Sequence, residues 1–125
     1  MLFRSYVVSI VLVVDDDANV REAIQWALED EGFDVETAAD GLQAIQRGVA
    51  RRPDLVLLDL TLPVLDGYRV ASDLRAAHGT DLPILAMTAD GQAEAKAFRA
   101  GAYAFVRKPF ELARLLEIVR QGLDT

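Results

Sequence analysis

Five residues in this sequence have side chains and settings suited to phosphoryl or metal chemistry. They are Asp15 and Asp16 in VLVVDDD, Asp59 in LVLLD, Thr88 in ILAMT, and Lys108 in FVRKPF. Each stands where a short apolar run gives way to polar or turn-forming residues. A carboxylate can act as a nucleophile or as a ligand for a hard cation. An ammonium group neutralises phosphoryl oxygens, and a hydroxyl donates a hydrogen bond to them. Each residue alone has an ordinary explanation: a Lys-Pro pair in a loop, a threonine cap, an acidic pair that complements a helix dipole. Five of them at the same edge of successive strands are not readily explained that way.

The elements that must position them follow from periodicity. Ile10 to Val14 and Leu55 to Leu58 are continuous apolar runs, which suit strands buried on both faces. Pro53 precedes the second run, and Pro63 and Asp66-Gly67 supply turn chemistry after it. Pro83 to Met87 and Tyr103 to Arg107 read as two further strands. Phe33 to Ala38 alternates, with Phe33, Val35 and Thr37 opposite Asp34 and Glu36, as expected near a sheet edge. Helices fall between the strands. The first, Asn19 to Glu31, carries Val20, Ile24, Ala27 and Leu28 as an apolar stripe, with Asp17 as N-cap and Gly32 ending it. Asp40-Gly41 reads as a turn, followed by a helix marked by Leu42, Ile45 and Val49. A third helix runs from Gly67 to about Ala77 with Val70, Ala71 and Leu74 inward, and a short Ala-rich one from Gln92 to Ala100. The last is marked by Leu112, Leu115, Leu116, Val119 and Leu123.

Five strand–helix repeats imply an α/β fold, a doubly wound five-stranded parallel sheet with right-handed crossovers. In the order 2-1-3-4-5, strands one and three are neighbours at the topological switch point, where such sheets bind ligands. That order brings Asp15, Asp16 and Asp59 together. Three close carboxylates repel and raise one another's pKa. A divalent cation with oxygen ligands relieves this, and Mg²⁺ suits one or two carboxylates plus waters. Lys108 and Thr88 could then receive a dianionic phosphoryl group on Asp59, the nucleophile, as an aspartyl phosphate.

Composition narrows the function class. The chain has 125 residues, 52% of them hydrophobic, enough for one domain with a packed core. A net charge of -7 argues against a nucleic-acid surface on this domain. There is no cysteine, which fits a cytoplasmic setting and excludes disulfides and thiolate metal sites. The apolar run Tyr6 to Val14 is too short to span a bilayer, and it ends in aspartates with no small-residue cleavage site, so no membrane or signal segment is expected.

These motifs resemble the receiver domain of the two-component response-regulator family, of the single-domain chemotaxis-regulator kind. The resemblance rests on VLVVDDD (Val11 to Asp17), LVLLDLTLPVLDG (Leu55 to Gly67), MTA (Met87 to Ala89) and KPF (Lys108 to Phe110). It covers Ile10 to about Leu123, leaving residues 1–9 as an N-terminal extension to a receiver domain over 10–125. It implies a flavodoxin-like fold with Asp59 as phosphoacceptor, loaded by a histidine kinase or a histidine phosphotransfer protein. Mg²⁺ would be held by Asp15, Asp16, Asp59 and the backbone carbonyl of Thr61, with Asp16 binding most directly and Asp15 largely through water. Lys108 would pair with the phosphoryl oxygens, and the Lys108–Pro109 bond would be cis. Thr88 and Phe105 would form a switch pair: Thr88 moves to the phosphoryl group and Phe105 turns inward. Such a domain catalyses its own phosphorylation and dephosphorylation but turns over no separate substrate. Thr61 and Asp90, beside the site, would set the phosphoryl lifetime.

The match is not complete. Phe105 stands where the family often has tyrosine, so its ring cannot offer a hydroxyl to a partner; Tyr103 lies two residues earlier, on the same strand face by alternation. Leu62 and Leu65 replace methionines. Trp26 lies off the core stripe of the first helix and, with Asn19 and Ala23, forms a second stripe expected to dock the phosphodonor protein. The output face would be the fourth helix, fifth strand and fifth helix, through which the domain would meet its target or form a homodimer. His78 suits a helix end and is given no catalytic part. The apolar residues Leu2, Phe3, Tyr6, Val7 and Val8 would extend the first strand, form a contact surface, or reflect an early start. Two other readings compete. One is a receiver-fold binding module that works without phosphate. The other is a phosphatase of the haloacid-dehalogenase type with Asp15 as nucleophile, which leaves Asp59 and KPF unexplained.

Overall fold

The apolar runs all become strands, and burial on two faces is the reason they are apolar throughout. A computed structural model describes residues 8–62, 65–89 and 91–124. The expectations for Leu2, Phe3, Tyr6, Val7, Pro63 and Asp90 concern residues outside these. The element order is β1 (Ile10–Val14), α1 (Ala18–Asp30), β2 (Asp34–Ala38), α2 (Gly41–Ala50), β3 (Leu55–Asp59), α3 (Gly67–His78), β4 (Ile84–Thr88), α4 (Ala93–Arg99), β5 (Ala104–Arg107) and α5 (Leu112–Leu123). The five strands form one parallel sheet in the order β2-β1-β3-β4-β5. The doubly wound fold is therefore the expected one, with β2 and β5 at the edges.

Along each central strand, alternate residues enter two separate cores. Leu12, Val14, Val56, Leu58, Ile84 and Ala86 face the side covered by α2, α3 and α4. Val11, Val13, Leu55, Leu57, Leu85 and Met87 face the side covered by α1 and α5. The edge strand β2 is only half-buried until Ala38, which accounts for its alternating sequence.

Register decides which strand ends meet. Val14 of β1 pairs with Leu58 of β3, so the next residues, Asp15 and Asp59, leave the sheet side by side. Thr88 of β4 pairs with Arg107 of β5, and the Lys108 N–H donates to the Thr88 carbonyl at 2.9 Å. Lys108 is thereby delivered to the same edge. Gly67 opens α3 hard against this edge: a Cβ there would lie 2.7 Å from Leu60 Cα and 2.9 Å from the Asp59 carbonyl oxygen. Only glycine lets the helix start so close to the acceptor loop.

Three local expectations are corrected. Asp40-Gly41 is no free turn: Asp40 is the N-cap of α2, accepting from the Gln43 N–H, and Gly41 is its first residue. The inward face of α2 is Gly41, Ala44 and Gly48 with Ile45 beside them, whereas Leu42 and Val49 are about half exposed. The cause is close packing of α2 on α3: a Cβ on Gly48 would lie 2.5 Å from Leu74 Cδ2. In α5, Ile118 is buried and Leu112 is partly exposed, which rotates the inward stripe relative to the expected one. His78 joins the same α2–α3 contact, its Nε2 lying 2.6 Å from the Gly48 carbonyl oxygen.

Candidate functional site

Among the described residues, the buried polar side chains are Asp15, Asp59 and Thr88, all at most 1% exposed. Burying such groups is unfavourable unless they are paired or functional. Their position at the carboxyl edge of β1, β3 and β4 makes them the centre of the site.

Asp15 is held through its backbone and Oδ1, while its buried Oδ2 lies in an ion pair with Lys108 but has no hydrogen bond of regular geometry. Its N–H donates to the Ala38 carbonyl at 3.2 Å, and its own carbonyl accepts from Arg21 Nη1 at 2.7 Å. Oδ1 accepts from the Asp17 N–H at 2.9 Å, and Oδ2 pairs with Lys108 Nζ at 2.6 Å. Asp59 is held more fully. Oδ1 accepts from both the Thr61 N–H at 2.9 Å and Thr61 Oγ1 at 2.8 Å, and Oδ2 accepts from Lys108 Nζ at 2.8 Å. Lys108 thus bridges the two buried carboxylates while its side chain stays 20% exposed.

Burial pushes the Asp15 carboxyl above its ordinary value, and the charge of Asp59 adds to this; the bond from Lys108 opposes them. For Lys108, burial alone would lower the ammonium pKa. Its bonds to Asp15 and Asp59 outweigh that and raise it.

Asp16 is exposed beside the pair, and one carboxylate oxygen each from Asp15, Asp16 and Asp59 lie within 4.8 Å of one another. Such an all-oxygen set suits a hard cation of the Mg²⁺ kind. Asp15 and Asp59 together outnumber the single positive charge of Lys108 between them, an excess that a cation would relieve. The donor set therefore fits the metal expected from the sequence.

The sequence-derived switch residues lie on one face of the sheet. Phe105 pairs with Ala86 in β4, two residues before Thr88, and is half-buried against the α2–α3–α4 core. Tyr103 behaves differently from expectation. It precedes β5, and its hydroxyl turns to α5, donating to the Ile118 carbonyl at 2.8 Å. Beside an edge strand no further strand blocks that path. Asn19, Ala23 and Trp26 are all exposed on α1, Trp26 to 64%. Ala23 lines an apolar groove of about 440 Å³ with Val20, Ile24, Pro109, Phe110 and Leu112, and Lys108 stands at its wall. Trp26 is not among the groove's lining residues. The Lys108–Pro109 peptide is cis, as expected. Two contacts were not read from sequence: the Thr61 hydroxyl on the acceptor carboxylate, and Arg21 on the acidic loop. The signal for Arg21 was a cation in the first turn of a helix, where the dipole disfavours it.

A parallel doubly wound domain with buried carboxylates and a lysine at its switch point is of the open α/β class, in which ligand sites lie at the carboxyl edge of the sheet. The comparisons name the family. The model of the response regulator receiver domain matches residues 11–120, so the chain belongs to that family. It is 46% identical over 112 residues to the response regulator MprA of Mycobacterium sp. (strain KMS), covering 88% of this chain and 48% of that protein. It is 39% identical over 113 residues to the DNA-binding dual master transcriptional regulator RpaA of Synechocystis sp., covering 88% and 47%. The chain spans about half the length of these curated relatives. Among solved structures, Vibrio cholerae chemotaxis protein CheY4 superposes with a TM-score of 0.86 at 30% identity, covering 94% of this chain and all of that one. The receiver domain of NtrX from Brucella abortus gives 0.84 at 35% identity, covering 92% and 98%.

Proposed function

We propose that this domain accepts a phosphoryl group on Asp59 from a phosphohistidine of a histidine kinase or histidine phosphotransfer protein, and that the charge so gained switches its output surface. The observation that carries the reading is the pair of buried carboxylates, Asp15 and Asp59, joined by Lys108 at 2.6 and 2.8 Å. A structural ion pair needs one carboxylate per lysine. A second buried carboxylate at the same edge leaves an excess of charge that suits a cation and a reacting phosphoryl group.

In the transfer, a carboxylate oxygen of Asp59 forms a bond to phosphorus as the phosphorus–nitrogen bond breaks. The imidazole leaves with the electron pair and regains a proton from solvent. Water later attacks phosphorus and restores the carboxylate with release of phosphate. Asp15, Asp16, Asp59 and the Thr61 carbonyl would hold Mg²⁺, which supplies neutralisation of the phosphoryl oxygens. Lys108, poised between the carboxylates, would shift its bonds to the phosphoryl oxygens, and Thr88 would donate its hydroxyl. Thr61, already bonded to Asp59 Oδ1, would hold that oxygen while the other reacts and so influence the lifetime of the adduct. Phe105 would follow Thr88 inward.

The phosphodonor would dock on the exposed stripe of Asn19, Ala23 and Trp26 and the groove beside Lys108. Output would pass through α4, β5 and α5, where Phe98 is 85% exposed, to a target or a second copy. A cytoplasmic setting agrees with the absence of cysteine, and no described helix is long and apolar enough to cross a membrane. The test is intact mass after incubation with Mg²⁺ and acetyl phosphate. One phosphoryl adduct is expected on the wild type, absent with EDTA and absent in Asp59→Asn. An adduct that survives Asp59→Asn but disappears in Asp15→Asn would favour the dehalogenase-type chemistry instead. A folded, Mg²⁺-bound protein that takes no phosphoryl group from acetyl phosphate or from a phosphorylated histidine protein would favour a phosphate-independent binding module.

A further inference from the structure

We infer that Arg21 is a positioning residue for the cation pocket, an assignment that rests on the function proposed above. Arg21 closes the first turn of α1, and no acidic residue accompanies it there. A cation in that place is opposed by the helix dipole, so its presence asks for a compensating contact. The contact is the Asp15 carbonyl, which accepts from Arg21 Nη1 at 2.7 Å. The half-buried guanidinium therefore reaches back across the β1–α1 loop to the backbone of the metal-binding segment.

That bond completes a closed ring of interactions. The Asp15 carboxylate accepts from the Asp17 N–H at 2.9 Å. The Asp17 carboxylate caps α1 by accepting from the Asn19 and Val20 N–H groups, and its carbonyl accepts from the Arg21 N–H at 2.9 Å. Arg21 then returns to Asp15. Asp16 sits inside this ring. Its carboxylate makes no hydrogen bond or ion pair with any described residue, so its place is set by the backbone on either side. Arg21 thus fixes the most exposed ligand of the pocket without touching it. Groups that orient a ligand from behind commonly change metal affinity 10- to 100-fold when removed.

The sign of the effect separates positioning from charge. Loss of a positive charge near three carboxylates, taken alone, tightens cation binding. Loss of a positioning bond weakens it. The experiment is Mg²⁺ titration by calorimetry on the wild type, Arg21→Ala, Arg21→Lys and Arg51→Ala, at a temperature where melting curves show all four folded. Arg51 pairs with Asp34 at the opposite, amino-terminal end of the sheet and controls for net charge. The expected result is about tenfold weaker Mg²⁺ binding in Arg21→Ala, partial recovery in Arg21→Lys, and no change in Arg51→Ala. Equal or tighter binding in Arg21→Ala overturns the assignment. Intact mass on the same samples keeps the two claims apart. A wild type that binds Mg²⁺ and takes a phosphoryl group on Asp59, with Arg21→Ala binding equally well, refutes the role of Arg21 alone. A wild type that does neither refutes the proposed function and this inference with it.

Discussion

Replacing Asp15 by asparagine should make the cation-free protein more stable at neutral pH. Asp15 is fully buried, and its carboxylate lies within 4.8 Å of that of Asp59. Burial is the largest influence against its charged form, and the repulsion from Asp59 is a smaller one. Asparagine removes this repulsion and the difficulty of ionising a buried acid. It keeps an oxygen for Lys108 but exchanges a charge-assisted bond for a weaker one, a loss of about 1.5 kcal/mol. The raised pKa shows that burial outweighs the pairing with Lys108, so the balance favours asparagine, by roughly 1 kcal/mol, or about 4 °C in Tm for a domain of this size. The pH dependence has a definite sign. The folded-state pKa of Asp15 is raised above its ordinary 3.8, so the unfolded chain gives up its proton first. As pH rises from 3.8 through the folded-state value, wild-type stability falls relative to the variant, and above that the gap is constant. The assay is thermal unfolding in EDTA from pH 4 to 8. Saturating Mg²⁺ should narrow the gap by stabilising the wild type preferentially. If Asp15→Asn melts at or below the wild type in EDTA at pH 7, the pair with Lys108 outweighs burial and repulsion, and the reasoning fails.

Gly48→Ala should lower stability by about 1–3 kcal/mol in urea unfolding, because the new Cβ would lie 2.5 Å from Leu74 Cδ2 and 3.2 Å from Leu12 Cδ2. An unchanged midpoint would mean that α2 and α3 can separate freely. Tyr103→Phe removes the hydroxyl bonded to the Ile118 carbonyl and should reduce stability by about 1 kcal/mol, with the fold retained by circular dichroism. Trp26→Ala, at an exposed position, should change stability by less than about 0.5 kcal/mol. The same variant should slow phosphoryl uptake from a phosphorylated histidine protein while leaving uptake from acetyl phosphate unchanged; a wild-type rate from the histidine protein would remove Trp26 from the docking surface.

The fold and the placing of the buried acids are legible in the order of residues alone. A parallel strand covered on both faces needs apolar residues at consecutive positions, and that demand leaves visible runs such as Leu55 to Leu58. Where such a run stops at an aspartate, the strand has reached the edge at which ligands bind. Asp15, Asp59, Thr88 and Lys108 could therefore be placed before any coordinates. Tertiary structure decided what depends on the opposing surface. The inward face of α2 was misread because Gly41, Ala44 and Gly48 carry little hydropathy; their value is the closeness they allow to Leu65, Val70 and Leu74. Tyr103 turned to α5 because it stands beside an edge strand, a fact of sheet order and not of local alternation. Arg21 and the Thr61 hydroxyl stayed hidden for another reason. One bonds a backbone carbonyl, which every residue possesses, and the other a carboxylate whose rotamer is fixed only once Lys108 arrives from 49 residues further along the chain.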